Sequence, residues 1–420
     1  MKKLTYNDLN EDQKGLIDSL LEWYDDPTRQ YFLLSGRAGT GKTTCIKFFI
    51  EKLKERHQYV NMALSAPTNK ATAVIRESFV DLDAEVTTAT IYSLLGLRLQ
   101  ANGAVKELAD MGFNDFGMFD LVGVDEGSML TKQVLNIMDS KIENTATKVL
   151  LIGDKFQIPP VGETMSPIWT YFPVDYELTK VERHDNAILE YVESIRNNPD
   201  PTFESPGEPV YMHDNDTFFN AIVELAEKGY FHSGKAKAIA WRNDTVEMLS
   251  KFIRSHYEQT NSKRRFVKGD RIVFTEPVPS PYPNTPPLAV TDEEATVIEA
   301  NANLHPKYPQ FKVWNLKIEM ELTGKQITVN VVHESSIDDL EAYKKELAEK
   351  KQWKSYWTLS DSFSKVMYAY ALTGHRSQGS TFEYVFVDAG DIQSNFEEDT
   401  RTKVYYVACG RASKELHIFP

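Results

Sequence analysis

The sequence predicts an α/β protein of two domains, each a parallel sheet covered by helices and each interrupted by a β insertion. Three observations carry this reading. First, four short apolar runs, YFLLSG (31–36), VNMALSA (60–66), FDLVGVD (119–125) and KVLLIGD (148–154), alternate with amphipathic stretches such as 43–56 and 69–80. Strands without a polar face, separated by helices, belong in a sheet buried on both sides. Second, another alternation begins near Asp175, with helical patterns at 186–197, 216–228 and 244–258. The apolar run AKAIAW (236–241) lies within it, and the alternation resumes at 366–388 and closes with 402–419. Third, the interruption at about 268–360 holds short β-branched runs, RIVF, ATVIEA, FKVWNLKIEM and QITVNVV, separated by turns. That pattern suits a small antiparallel β module.

The expected boundaries are 1–172 for the first domain, 173–267 with 361–420 for the second, and 268–360 for the module. Within the module, six prolines at positions 277–287 mark an extended surface loop, since each removes a backbone donor. Segment 335–352 reads as a charged, exposed helix. In the first domain, LRLQANGAVKEL (97–108) places an Asn-Gly turn between alternating residues, which predicts a β-hairpin.

Composition narrows the function classes. The chain has 420 residues, with 47 Lys and Arg against 61 Asp and Glu, a net charge of −14. Such a balance argues against attachment to nucleic acid by bulk positive charge and leaves room for a local basic groove. Two cysteines, Cys45 and Cys409, cannot build a disulfide framework or a four-Cys zinc site, so a reducing, cytoplasmic setting is expected. The N-terminal MKKLTYNDLNEDQK has no apolar segment after its lysines, so it does not read as a secretory signal. No run of 18 apolar residues occurs, which excludes a spanning helix.

The chemistry begins at Gly36-Arg37-Ala38-Gly39-Thr40-Gly41-Lys42-Thr43, which fits the G-x-x-x-x-G-K-[ST] phosphate loop and is followed by Thr44. Glycines let backbone N–H groups wrap a phosphate, Lys42 neutralises it, and the Thr43 hydroxyl suits Mg²⁺. The helix that follows offers its N-terminal dipole to the same anion. Asp125-Glu126 ends the apolar strand LVGV. A lone Asp-Glu is more often a solvated turn; behind a phosphate loop, one carboxylate suits Mg²⁺ and the next the attacking water. Gly153-Asp154-Lys155-Phe156-Gln157 adds polar groups at the same sheet edge, where Gln157 is either a γ-phosphate sensor or a loop residue. Three arginines, Arg183, Arg376 and Arg411, are candidates for a cation at the developing γ-phosphate charge, and the pattern does not choose among them.

Taken in order, Gln13, the phosphate loop, SAPTNKA (65–71), TIYSLLG (90–96), VDEGSM (124–129), IGDKFQIPPV (152–161), LTKVERHDNAI (178–188), LTGHRSQGSTF (372–382) and VYYVACGRAS (404–413) resemble the motifs of superfamily 1 DNA helicases. The hairpin and the β insertion before GHRSQG are similar to the 1B branch, the RecD-like helicases, and the compact length resembles their phage Dda-type members. The resemblance implies two RecA-like domains, an SH3-like module, ATP and Mg²⁺ as cofactors, and 5′→3′ movement along DNA by a monomer. It implies that Gln13 reads adenine and that Lys42, Thr43, Asp125 and Glu126 serve phosphate, Mg²⁺ and water. Gln157, Arg183, Gln378 and Arg411 match γ-phosphate-sensing positions, with Arg183 and Arg411 as arginine fingers. Pro67, Thr68, Thr90, Tyr92, His375 and Ser377 fall in segments that line a single-strand track. The hairpin, with Leu97, Leu99, Asn102 and Gly103, matches a strand-separating pin.

The chain departs from the family at Tyr92, where His is usual, at Arg376 for Lys, and at Cys409-Gly410 for Leu-Thr. The implied partners are single-stranded and junction DNA, with replication or recombination proteins as further candidates. If phage-encoded, the chain would work in the host cytoplasm. Two other readings stand beside the helicase: a translocase that displaces proteins and unwinds weakly, and a DNA-binding module with an inactive ATP site. Trp353 and Trp357, four apart on one helical face with Phe363 beyond, suit a small core under the module or base stacking. KRRFVKGDR (263–271) suits a solvated junction or a phosphate contact.

Overall fold

The computed structural model describes residues 5–37, 39–80, 82, 86–102, 104–110, 116–160, 162–180, 187–198, 206–257, 264–282, 285 and 287–420. Its strands, in chain order, are β1 (Tyr31–Gly36), β2 (Met62–Ala66), β3 (Val86–Thr90), β4 (Leu97–Asn102), β5 (Val105–Asp110), β6 (Leu121–Val124), β7 (Lys148–Gly153) and β8 (Tyr176–Leu178) in the first half. The second half contributes β9 (Val210–Met212), β10 (Ala236–Ala240), β11 (Arg271–Phe274), β12 (Glu294–Leu304), β13 (Lys312–Met320), β14 (Gln326–Val332), β15 (Val366–Tyr368), β16 (Ala371–Thr373), β17 (Phe382–Asp388) and β18 (Ala412–Phe419).

Six strands form the first sheet in the order β3-β2-β6-β7-β1-β8, every neighbour parallel. Successive side chains of a strand point to opposite faces, and here both faces are buried. Phe32, Leu34, Leu150 and Ile152 pack under the helices Glu11–Asp25, Lys42–Arg56 and Asn69–Phe79. Leu33, Val149 and Leu151 pack on the other side with the helix Lys132–Ile142. The second sheet, β16-β10-β17-β18-β9, is also parallel throughout and lies between two cores.

The module is a five-stranded antiparallel sheet, β14-β13-β12-β11-β15, whose strand β14 alternates buried and exposed residues as a one-sided sheet requires. Helices Ile337–Glu349 and Trp353–Ser360 close it.

Tertiary pairing moves both expected boundaries. β8 pairs with β1, so the first sheet runs past residue 172 to Leu178. β15 pairs with β11, so the module's sheet extends beyond 360 to Tyr368. The strand β3 (VTTAT) has no apolar run to predict it, because an edge strand of partly buried and exposed residues needs none. The hairpin β4–β5 is present, with Asn102 paired to Val105, so Asn102 belongs to the strand ladder and not to the turn. At its base Leu97 is buried in the first-domain core, which removes it from a strand-separating surface. Gly103 lies outside the described residues, as does the side chain of Leu99. Asn102 is exposed and donates to Glu107 (2.9 Å).

The small core beside the module is built from Phe311, Leu340, Leu359 and Phe363, with Tyr356 packed against it. Trp353 and Trp357 stand half-exposed at its rim, each edge-on to Tyr356. The basic segment turns inward: Arg264 donates to Ala300 O (2.7 Å), Arg265 to Val332 O (3.2 Å) and Arg271 to Glu294 (2.9 Å). Among the described residues no helix is long and apolar enough to cross a membrane.

Candidate active site

The phosphate loop joins β1 to the helix Lys42–Arg56. Gly41, with φ +83°, adopts the left-handed backbone that only glycine takes without strain, and a Cβ there would meet Gln13 Nε2 at 2.6 Å. Lys42 Nζ donates to the loop's own carbonyls, Gly36 O (2.7 Å) and Arg37 O (2.9 Å). Thr40 is buried and bonds Arg37 O (3.0 Å), bracing the loop. Gly39, Thr43 and Thr44 complete the described part of the loop and the first helical turn; Ala38 lies outside the described residues.

Gln13 reaches this loop, though its amide is already engaged. It closes the capping box of the helix Glu11–Asp25 through Asn10 N and donates to Thr40 O (3.2 Å). Arg37 extends away from the loop to Glu193 (2.6 Å) on the helix Ala187–Asn197 of the second domain, and its buried Nε has no partner among the described residues.

At the end of β6, Asp125 N is held by Ser65 O (2.8 Å) and Glu126 N by Asp125 Oδ1 (2.8 Å). Glu126 has φ +53°, a left-handed conformation that costs a non-glycine residue roughly 1–2 kcal/mol. Such strain persists only where surrounding structure enforces it. Here the turn Gly127–Met129 follows at once, and Ser128 Oγ is tied to Asp154 O (2.9 Å). Burial raises the Asp125 carboxyl above its ordinary range, with Lys42 opposing. Burial also raises Glu126, reinforced by Asp125 and opposed by Arg411, Lys42 and a hydrogen bond from Gln157. Gln157 Oε1 is buried and has no partner among the described residues.

The opposite wall comes from the second domain. Arg411, 9% exposed, donates from Nε to Val407 O (2.9 Å) and from Nη1 to Ser380 O (3.2 Å). Burial lowers its pKa, and Glu126, Tyr406 and Asp154 work against that. Gln378 crosses the cleft to Ile158 O (3.2 Å). Asp154 does the same from the other side, accepting from Tyr406 OH (2.9 Å) and Arg196 Nη1 (3.2 Å) while its Oδ1 also caps Phe156 N (2.9 Å). Sequence reasoning missed Tyr406, Arg196 and Glu193. The one available signal was the proximity of Tyr406 to Arg411, five residues apart in a single motif.

Arg376 is not at the cleft. Its guanidinium binds Asp292 and Phe274 O (3.3 Å) of the module. Arg183 lies outside the described residues.

The residues expected along a DNA track follow the C-terminal ends of β2, β3 and β16, the edge where open α/β sheets bind ligands. Pro67 is buried, and Thr68 and Thr90 are N-caps whose hydroxyls accept from Ala71 N (3.2 Å) and Ser93 N (3.3 Å). Tyr92 leans on the first-domain core, and burial raises its hydroxyl pKa. His375 packs against Trp241 (ring centroids 5.4 Å apart), with burial lowering its pKa. Ser377 corrects an expectation: it has no exposed surface and its hydroxyl donates to Gly374 O (2.7 Å), so it supports the turn rather than lining a track.

Gly379, with φ +69°, lets this segment approach the first domain so closely that a Cβ would meet Ala71 Cβ at 3.0 Å. Gly379→Ala is therefore expected to cost about 1–3 kcal/mol. A urea midpoint equal to the parent's would show that the two domains do not pack tightly there.

A phosphate loop facing an arginine across two RecA-like sheets defines the class: a two-domain P-loop ATPase. Sequence comparison narrows it. Residues 8–207 match an AAA domain and residues 368–419 a UvrD-like helicase C-terminal domain. The chain is 25% identical over 423 residues to the ATP-dependent DNA helicase dda of Enterobacteria phage T4, covering 91% of this chain and 93% of that one. Against an uncharacterized protein of Acanthamoeba polyphaga mimivirus it is 24% identical over 493 residues, covering 97% and 99%. The fold is similar to a Bacteroides Pif1 helicase in complex with ADP-AlF3 and single-stranded DNA, with TM-score 0.53, 15% identity and coverage of 98% and 92%. These matches support a superfamily 1B helicase similar to the Dda and RecD proteins, and the chain is an ATP-hydrolysing DNA helicase.

Proposed function

We propose that this helicase moves 5′→3′ on single-stranded DNA and unwinds duplex ahead of it, driven by hydrolysis in the cleft. The observation that supports this most is the closed cleft: Gln378 reaches Ile158 O (3.2 Å) and Tyr406 OH reaches Asp154 (2.9 Å), which sets Lys42 and Glu126 of one domain opposite Arg411 of the other. In this reading Lys42 holds the β/γ-phosphates and Glu126 takes the proton of the attacking water. Gln157, whose amide already donates to Glu126, offers to that water or its neighbours an Oε1 with no partner among the described residues. Arg411 meets the charge that develops on the γ-phosphate. Gln13 braces the loop from behind and keeps a second N–H and a second lone pair for adenine.

No three His, Cys, Asp or Glu side chains cluster to hold a metal among the described residues. Thr43 and Asp125 line one small cavity, and a hydroxyl with a carboxylate fits Mg²⁺ held mainly by phosphate and water. When bound, Mg²⁺ would neutralise charge on the phosphates.

Strand separation costs about 1.4 kcal/mol of stacking per base-pair step, so forward motion needs a wedge. The hairpin β4–β5 contributes none of the cleft residues and is assigned that role. DNA-dependent ATPase, single-strand translocation and unwinding of 5′- and 3′-tailed duplexes test the reading on one preparation. Replacing residues 98–106 with a short Gly-Ser turn is expected to leave the first two activities intact and collapse unwinding of the 5′-tailed duplex. Unwinding that survives would remove the wedge. Preference for the 3′ tail would reverse the polarity, and stimulated hydrolysis without unwinding in the parent would leave a translocase.

A further inference from the structure

Where the two domains and the module meet, one carboxylate holds three cations. Glu294 opens β12 and is 9% exposed. Its Oε2 accepts from Lys237 Nζ (2.9 Å) on β10 and from Arg271 Nη2 (2.9 Å) on β11. Its Oε1 accepts from Lys70 Nζ (3.4 Å), on the first turn of the first-domain helix Asn69–Phe79. The two oxygens are thus divided, one joining the module to the second domain and the other facing the first domain.

The two sides differ in how easily they part. Lys237 is 1% exposed and also donates to Ala369 O, while Arg271 continues to Glu321 (3.3 Å). Burial pulls Lys237 down to about 8, with Glu294 opposing. Burial works to raise the Glu294 carboxyl, and Lys237, Lys70 and Arg271 together hold it well below the ordinary range instead. Separating Lys237 from Glu294 would strand buried charges, which is strongly unfavourable. Asp292, two residues earlier, adds a second tie by accepting from Arg376 of the turn Gly374–Ser377. The module therefore travels with the second domain.

Lys70 is placed otherwise. Its side chain is 28% exposed, its contact is long for a charge-assisted bond, and a cavity of about 270 Å³ lies beside it. Its ammonium also sits 4.7 Å from the ring centroid of Phe382 on β17, a second contact from Lys70 to the unit that carries Glu294.

We infer that the Lys70–Glu294 pair is a latch that carries closure of the ATP cleft to the β module, with Lys70 a positioning residue for the segment that leads into its helix. That segment holds Pro67 and Thr68, and the next residue, Ala71, is the one Gly379 approaches. Among the described residues Arg37–Glu193 and Arg196–Asp154 also tie the first domain to the second, and Lys70–Glu294 is the partly exposed ion pair that ties the first domain to the module. The inference rests on the helicase reading, because closure matters only if ATP and DNA act on one cycle.

Lys70→Gln in the full chain tests it. DNA-free ATPase is expected to be unchanged, and DNA-stimulated kcat to fall about threefold to fivefold, the scale of a partly exposed ion pair. The single-strand concentration giving half-maximal stimulation is expected to stay the same. Lys70→Arg should restore the rate. Glu294→Gln combined with Lys70→Gln should be no worse than Glu294→Gln alone; if the Glu294 variant does not fold, the two Lys70 variants still decide. Unchanged stimulated kcat in Lys70→Gln overturns the latch. So does a loss seen only as weaker DNA binding with a shallower salt dependence, which would make Lys70 a phosphate contact. A parent chain that single-stranded DNA does not stimulate overturns the helicase reading itself, an outcome visible before any variant is made.

Discussion

Arg411→Ala is expected to bind ATP as the parent does and to hydrolyse it on the order of 10³-fold more slowly, the lower range for an arginine finger. The guanidinium is held by two carbonyls of its own domain, Val407 O and Ser380 O, so it is oriented before any nucleotide arrives. Preorganised charge of this kind acts on the transition state more than on the ground state. Single-turnover hydrolysis together with nucleotide affinity separates the two. Should affinity fall while the chemical step is spared, Arg411 would be a ground-state contact and the finger would pass to Arg183. Arg376 is not available for that role, because Asp292 and Phe274 hold it in the module.

For Glu126→Gln the expected outcome is retained nucleotide binding and a hydrolysis rate lower by about 10²–10⁴, the range for loss of a general base. The amide keeps the shape and the hydrogen-bonding reach but cannot take a proton. Glu126 is raised by burial and by Asp125, so the acid limb of the parent's kcat profile is expected above the free-carboxylate value of 4.5. Activity should fall as pH drops through that limb, and the limb should be absent from the residual rate of the variant. Glu126→Gly provides a second reading. Relief of the φ +53° backbone should stabilise the fold by about 1 kcal/mol even as hydrolysis is lost. A rate near the parent's in Glu126→Gln would return the base to Asp125.

By itself the sequence determined the two parallel sheets, the hairpin, the antiparallel module and the chemical identity of the cleft. Each of these is written locally. A strand buried on both faces must be apolar throughout, as in Lys148–Gly153, and a phosphate loop needs its glycines and lysine at set spacing within one turn. Long-range pairing was decided only in three dimensions. Val86–Thr90, Tyr176–Leu178 and Val366–Tyr368 owe their places to a partner strand already present, since three to five residues are too short a run to carry a periodic signal. The same holds for side chains that motifs alone would send to a ligand. Ser377 is engaged by Gly374 O, Gln13 in part by Asn10 and Thr40, and Arg376 by Asp292, because a buried polar group must be satisfied by whatever lies within reach. Lys237, Arg271 and Lys70, scattered over 200 residues, meet at Glu294 for a reason that no sequence pattern encodes: the packing of two domains and the module brings them there, and burial makes an unpaired charge costly.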